Sequence, residues 1–338
     1  MILLWVRFLA CVIIILISGT KLSRYGDAIA EKTGLSGLWV GLLLIAAVTS
    51  MPELIAGISS VTIVGIPTGP DLAIGTALGS NLFNLLIIAL LDILCRSGPL
   101  LTKASSGHFL PGGLSALLIA VAGASILLSS RVSGLGMGWV GGYSLILIIL
   151  YLIGTRAAFG LERRQVASSE SEAKEPRYQS MTLRRTYLYF AIAAVAIIGG
   201  GTWLAIIGND ISEATGWSAS FVGSLFLAFT SSLPELVVAI AALRMGAIDM
   251  AIPDILGNNM FNMSIVIGFD DLFFKHGFIL SSVSENHVYI ALIGVLMTGT
   301  VIGGLIHRPR KKTPVGMSWY AIILIAGYLI GMYTAFVQ

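Results

Sequence analysis

Apolar positions along this chain come in runs of membrane-spanning length, without the short alternations of a soluble fold. Val12–Gly19, Leu114–Ser130, Met137–Gly154 and Leu188–Gly208 contain no Lys, Arg, Asp or Glu. A helix crossing a bilayer needs about 20 largely apolar residues. Runs of that kind predict ten spans, at 2–19, 37–64, 72–95, 110–130, 136–155, 187–208, 218–243, 250–273, 287–306 and 317–337. The expected fold class is an all-α membrane protein with ten transmembrane helices, and an even number of spans puts both termini on one side.

Composition agrees with this reading. Of 338 residues, 56% are hydrophobic and only 11% charged, at a mean hydropathy of +0.92, whereas soluble domains carry roughly 25% charged residues. That balance argues against a soluble fold, and it implies no nucleic-acid partner. The net charge of +3 matters through its distribution over loops. Residues 156–186 form the one long charged, Ser/Glu-rich stretch and the natural linker between five spans and five. Assigning loops alternately places 17 of the 20 basic residues, the linker's included, on one side. The positive-inside rule then makes the linker cytoplasmic and the termini outside, in a cell (inner or plasma) membrane. Cys11 and Cys95 lie in or beside apolar spans with no metal-ligand spacing, and are expected to pack. Arg7 and the run to Ile17 resemble a signal peptide, but no small-residue cleavage site follows, so a retained span is expected.

The chain also resembles itself. A shift of 182 aligns Gly19-Thr20 with Gly201-Thr202, Gly41 with Gly223, and Ser50-Met51-Pro52-Glu53-Leu54 with Ser232-Leu233-Pro234-Glu235-Leu236. A shift of 178 aligns Gly79-Ser80-Asn81-Leu82-Phe83-Asn84 with Gly257-Asn258-Asn259-Met260-Phe261-Asn262. Five spans per copy is odd, so the copies enter from opposite faces: an inverted repeat, with 1–155 as the first unit, 187–338 as the second, and the duplicated motifs at 41–85 and 223–263. Transporters of that design bind substrate near the midplane where the repeats meet.

Glu53 and Glu235 are the only glutamates within the predicted spans. A carboxylate facing lipid costs at least a few kcal/mol, so each is expected to face the bundle interior or a water-filled cavity. Pro52 and Pro234 lack the N–H that would bond the carbonyls of Val48 and Thr230, leaving backbone oxygens exposed. The hydroxyls of Thr49, Ser50, Ser231 and Ser232 lie within a turn. Carboxylate, hydroxyl and carbonyl oxygens together suit hard cations such as calcium and sodium; the thiolate or imidazole that soft metals prefer is absent. The bland alternatives are protonated glutamates that tie the bundle together and ordinary proline kinks with back-bonded hydroxyls. Ser80 with Asn84, and Asn258 with Asn262, are pairs four apart on one helix face and are further ligand candidates, while Asn81 and Asn259 suit interhelical hydrogen bonds. Asp71 and Asp254 lie near span ends and are expected to be solvated, Asp254 beside an access path.

The paired motifs resemble the two alpha-repeats of the cation/calcium exchanger superfamily, prokaryotic sodium/calcium exchangers in particular. The resemblance covers nearly the whole chain. It implies ten helices, a cytoplasmic central loop, outside termini, and binding of Ca2+ and Na+ at Glu53 and Glu235. Support would come from Thr49, Ser50, Ser231, Ser232, Ser80, Asn84, Asn258, Asn262 and the carbonyls near Ala46 and Ala228. Alternating access would follow from sliding of spans one and six. This chain departs from the family in Val48 and Thr230, where Gly is common, in Ser231 where Thr is usual, in Asn258 where many relatives have Ser, and in Asn262 where some have Asp. Asn at both repeat-related positions, Asn84 and Asn262, resembles potassium-independent sodium/calcium exchangers more than potassium-dependent ones.

The function implied is secondary antiport of sodium against calcium, with the transported ions as partners beside the bilayer, no cofactor, and no ATP, since no phosphate-binding glycine loop is present. Calcium/proton antiport on the same scaffold and a passive cation channel are the rivals. A membrane enzyme is the weakest candidate, because His108, His276, His287 and His307 form no metal-binding pattern and no catalytic Asp pair is evident.

Overall fold

The structure, a computed structural model, describes residues 2–129, 136–168, 177–178, 181–215 and 228–336. It is almost entirely helical, as a chain must be if its backbone is to satisfy its own hydrogen bonds away from water. Helix α1 (Ile2–Thr33) is followed by a broken helix: α2 (Gly37–Trp39), a π-helical stretch Val40–Ile45, α3 (Ala46–Thr49), α4 (Met51–Ser59) and a second π stretch Ser60–Val64. Then come α5 (Thr68–Leu94), the short α6 (Leu100–Lys103), α7 (Phe109–Ser129), α8 (Gly142–Ser168) and α9 (Leu183–Thr215). A second broken helix follows as α10 (Ala228–Ser231) and α11 (Leu233–Arg244). Helix α12 (Ile248–Phe261) passes through a π turn at Asn262–Val266 into α13 (Ile267–Phe273), and α14 (His287–His307) and α15 (Trp319–Phe336) complete the chain.

Seven helical segments among the described residues are long and apolar enough to cross a membrane: Ile2–Thr33, Gly37–Val64, Thr68–Leu94, Phe109–Leu128, Gly142–Leu161, Leu183–Leu204 and His287–His307. The other three predicted segments also carry helix. Helix α15 is apolar but short, α12 and α13 are separated by the π turn, and the first part of 218–243 lies outside the described residues. Large apolar side chains such as Leu9, Ile13, Ile149, Ile153, Val195, Leu296 and Leu329 are exposed on the outer surface. A surface of that kind has lipid as its natural solvent.

Helix α1 packs along α9 and α11, α14 along α7 and α15, and α12 against Val40–Ile45. The last contact is very close. A Cβ built on Gly257 would lie 2.9 Å from Leu42 Cα and 3.0 Å from Ala46 Cβ, so only glycine lets these backbones approach. Cys11 and Cys95 are buried and form no disulfide.

Two buried aspartates fasten the ends of the bundle. Asp92, at the end of α5, accepts from Leu100 N at 2.9 Å, Ser318 N at 2.8 Å, Ser318 Oγ at 2.9 Å and the Tyr320 hydroxyl. Asp271, at the end of α13, accepts from Ile279 N at 2.9 Å and from Gly141 N, Tyr143 OH and Ser144 Oγ, each at 2.7 Å. Two His–Asp contacts repeat the theme: His108 to Asp249 at 2.8 Å and His287 to Asp71 at 3.0 Å.

Several boundaries differ from expectation. Helix α1 runs 14 residues past 2–19, because no proline interrupts Thr20 to Thr33 and Leu22, Ala28 and Ile29 of that extension are buried against the bundle. Residues 136–141, predicted to open a span, instead form a hairpin of β1 (Gly136–Met137) and β2 (Val140–Gly141), with Gly138 at φ +67° in its turn. Helix α8 extends through the start of the predicted linker to Ser168. Within the linker, the Arg177 and Tyr178 amides donate to Glu31 at 2.9 Å each and the Tyr178 hydroxyl donates to Asp27 at 2.9 Å, which ties the linker to the C-terminal end of α1.

Candidate cation site at the two broken helices

The site begins with two prolines. The missing N–H at Pro52 interrupts the helix at Ser50 (φ −81°, ψ 3°), and Pro234 does the same at Ser232 (φ −90°, ψ 10°). Each break leaves a glutamate in the first turn of the helix that restarts: Glu53 in α4 and Glu235 in α11. Both glutamates are 1% exposed. They lie within electrostatic range of one another, as the spacing of the motifs leads one to expect.

The surrounding atoms come from both halves of the chain. Ser232 Oγ donates to Glu53 Oε1 at 3.1 Å and Ser80 Oγ reaches the same oxygen at 3.4 Å; Ser231 also approaches this carboxylate. Thr49 Oγ1 and Ser50 Oγ approach Asn258 Oδ1 at 3.1 Å and 2.9 Å. The Ala46 carbonyl accepts the Ser50 amide at 3.0 Å and lies 3.4 Å from Thr49 Oγ1. Thr49, Ser50, Ser80, Asn84, Ser231, Ser232, Asn258 and Asn262 are all buried.

Behind the glutamates, α5 and α12 cross in a reciprocal set of amide bonds. Asn81 Nδ2 donates to the Asn259 carbonyl at 3.4 Å and Asn259 Nδ2 to the Asn81 carbonyl at 3.3 Å. Asn84 Nδ2 donates to Asn259 Oδ1 at 3.1 Å and Asn262 Nδ2 to Asn81 Oδ1 at 3.2 Å. Asn81 and Asn259 thus have the interhelical role expected of them. The Oδ1 atoms of Asn84 and Asn262 remain without a partner, as do Oε2 of Glu53 and Oε2 of Glu235. Four unpartnered oxygens, two of them carboxylate, are an unusual accumulation in a buried interior. Oxygens in that state are free to coordinate a cation. Asn262 opens the π turn that follows α12, a distortion common at functional sites.

A family model described as sodium/calcium exchanger protein matches residues 3–159 and 185–337. The chain belongs to the sodium/calcium exchanger protein family. As a member it is a membrane transporter of the cation/calcium exchange kind and not an enzyme, and the ions are substrates, with no cofactor indicated. It is similar to the inner membrane protein YrbG of Escherichia coli, 29% identical over 275 residues that cover 76% of this chain and 75% of that one. It is also similar to the putative antiporter CaxA of Alkalimonas amylolytica, 24% identical over 72% of this chain and 73% of that protein. Among solved structures, the sodium-calcium exchanger NCX_Mj matches with a TM-score of 0.72 over 98% of both chains at 20% identity, a likeness of fold.

One sequence expectation needs revision. Asp254 is not solvated: it is fully buried in the middle of α12, one turn before Asn258, on a helix whose Gly257 packs closely on Leu42 and Ala46 and whose backbone at Asp254 lies against Gly41. Asp71 has the solvent access expected of it, its side chain 44% accessible, and it pairs with His287. Residues missed altogether include Asp270, which is fully buried beside Gly57 with both oxygens unpartnered, and the end clamps at Asp92 and Asp271. Extending the 178–179 shift beyond the motifs would have found the clamps, since it pairs Asp71 with Asp249, Asp92 with Asp271 and His108 with His287. The Ala228 carbonyl opens α10, and the residues before it lie outside the described ones.

Proposed function

We propose that this protein is a secondary antiporter that moves sodium and calcium in opposite directions by alternating access, through ten helices arranged as two inverted five-helix repeats. The observation that carries the reading is the pair of buried glutamates, one from each broken helix, each with one carboxylate oxygen free of any partner among hydroxyl and amide oxygens. Two carboxylates balance one calcium ion or share several sodium ions. Unpaired charges are costly in a low-dielectric interior, so the two ion species compete for the same oxygens and the empty site resists reorientation. The ligands are Glu53 and Glu235 with Thr49, Ser50, Ser80, Asn84, Ser231, Ser232, Asn258 and Asn262, helped by carbonyls near Ala46 and Ala228.

Reciprocal bonding of Asn81 with Asn259, and the matching clamps at Asp92 and Asp271, support the repeat organisation 1–155 and 187–338. The loop charges support a cell-membrane protein with a cytoplasmic 156–186 linker and outside termini. The test is calcium-45 uptake into proteoliposomes with sodium, potassium or proton gradients imposed in turn. Sodium-driven uptake that is lost in Glu53→Gln and in Glu235→Gln is expected. Uptake driven by a pH gradient alone would make the protein a calcium/proton antiporter, and flux without any counter-ion would make it a channel.

A further inference from the structure

Asp254 lies on α12, one helical turn before Asn258, and belongs to neither broken helix. It is fully buried and makes no salt bridge among the described residues, and its carboxylate is faced by the side-chain amide of Asn258 at less than full hydrogen-bond geometry. Its surroundings point inward to the site. Asn258, four residues on, turns its side-chain amide to Asp254 while its Oδ1 is taken up by Thr49 and Ser50, so a neutral amide is what this carboxylate meets on its own helix. Glu235, with its own free Oε2, is within electrostatic range. On the far side the α12 backbone is pressed onto Gly41, where a Cβ would lie 3.0 Å from the Asp254 amide, so no side chain can reach it from that position.

The repeat-related position in the first half has nothing of the kind. The residue 178 positions earlier is Thr76, whose hydroxyl is spent on its own helix, donating to the Leu72 carbonyl at 2.7 Å. The third charge is therefore a feature of the second half alone. No three acidic, His or Cys side chains converge on one point among the described residues. Asp254 thus does not complete the glutamates' own coordination sphere; it makes a neighbouring position with a single negative charge. A lone carboxylate in an interior of low dielectric calls for one positive charge beside it, and oxygen ligands call for a hard one.

We propose that Asp254 holds a monovalent cation of its own next to the glutamate pair, so that the chain binds one more sodium ion than Glu53 and Glu235 account for. Calcium at the glutamates would then leave the Asp254 position filled by a monovalent ion. The inference rests on the glutamate pair being the calcium site, and the experiment separates the two. Purified full-length protein in detergent, with choline as the inert cation, is dialysed to equilibrium against sodium-22 and, separately, calcium-45. The expected result is that Asp254→Asn binds about one sodium fewer per chain while calcium binding stays at the native count. An unchanged sodium count in Asp254→Asn overturns the proposal. Asp254→Glu guards against a folding defect: it should keep the native sodium count, and loss of one sodium in this variant as well would assign Asp254 to packing and overturn the proposal. Repeating the dialysis with rubidium-86 in place of sodium tells a potassium-like occupant from sodium; a drop of one in either ion supports a monovalent site. If the unsubstituted chain binds no calcium, the glutamate reading fails, yet the sodium difference between native and Asp254→Asn still decides the Asp254 site.

Discussion

The buried carboxylates at the ends of the bundle and those at its centre have the same chemistry and nearly the same burial, and they differ in what surrounds them. Asp92 and Asp271 each collect four donors from neighbouring segments. Glu53, Glu235 and Asp254 keep unpartnered oxygens. A buried charge wrapped in donors fastens a fold; a buried charge left short of them destabilises the fold until something positive arrives. The ends therefore serve as fixtures, and the centre is the part whose energy depends on a substrate.

Substitutions can break this contrast in opposite directions. The largest expected effect on transport is at the centre: Glu53→Gln or Glu235→Gln should cut sodium-driven calcium flux by more than about 100-fold, beyond what outer-shell changes at metal sites cause. Thermal stability in detergent should hold or rise, since a buried unpaired charge is removed. At the ends the pattern reverses. Asp271→Ala strands the Gly141 and Ile279 amides and the Tyr143 and Ser144 hydroxyls, at about 1–3 kcal/mol for each buried group left unsatisfied. Its melting temperature should fall steeply while flux per folded molecule survives; lost flux without lost stability would erase the distinction.

Smaller effects sharpen it. Gly257→Ala would push a methyl against Leu42 and Ala46, costing about 1–3 kcal/mol by overpacking. Because this contact seats Asn258 beside Thr49 and Ser50, calcium affinity should weaken along with stability. Least is expected at the linker. Burial, then the neighbouring Asp27 carboxylate, pushes the Tyr178 hydroxyl up to about 12. A hydroxyl raised above its unfolded value of about 10 favours the folded state below that pH and loses this contribution as pH climbs through 12. Protease cleavage of the linker should accordingly accelerate between those two values, and Tyr178→Phe should abolish that pH dependence with flux unchanged.

Much of this arrangement was legible in the chain because it rests on local signals. Runs of apolar residues marked the helices, and Pro52-Glu53 and Pro234-Glu235 marked the breaks, since a missing N–H and a carboxylate in an apolar run act within a turn. Other features depend on segments distant in sequence. Asp92 in an apolar span looks no different from Asp254 there; only the folded chain shows that Ser318 and Tyr320 arrive at one, while the other meets the amide of Asn258 on its own helix. Likewise nothing local told the Gly-rich residues 136–141 to form a hairpin, whose partner across the bundle is Asp271.

A single glycine on α9 touches both broken helices. A Cβ on Gly201 would meet Pro52 Cγ at 2.6 Å and Pro234 Cγ at 3.3 Å. The two proline rings, one from each half, thus rest on the same bare patch of backbone, which works as a shared bearing with no knob to catch on. One methyl placed there would press on both halves together, making it the spot from which the whole duplicated core can be jammed by the smallest possible change.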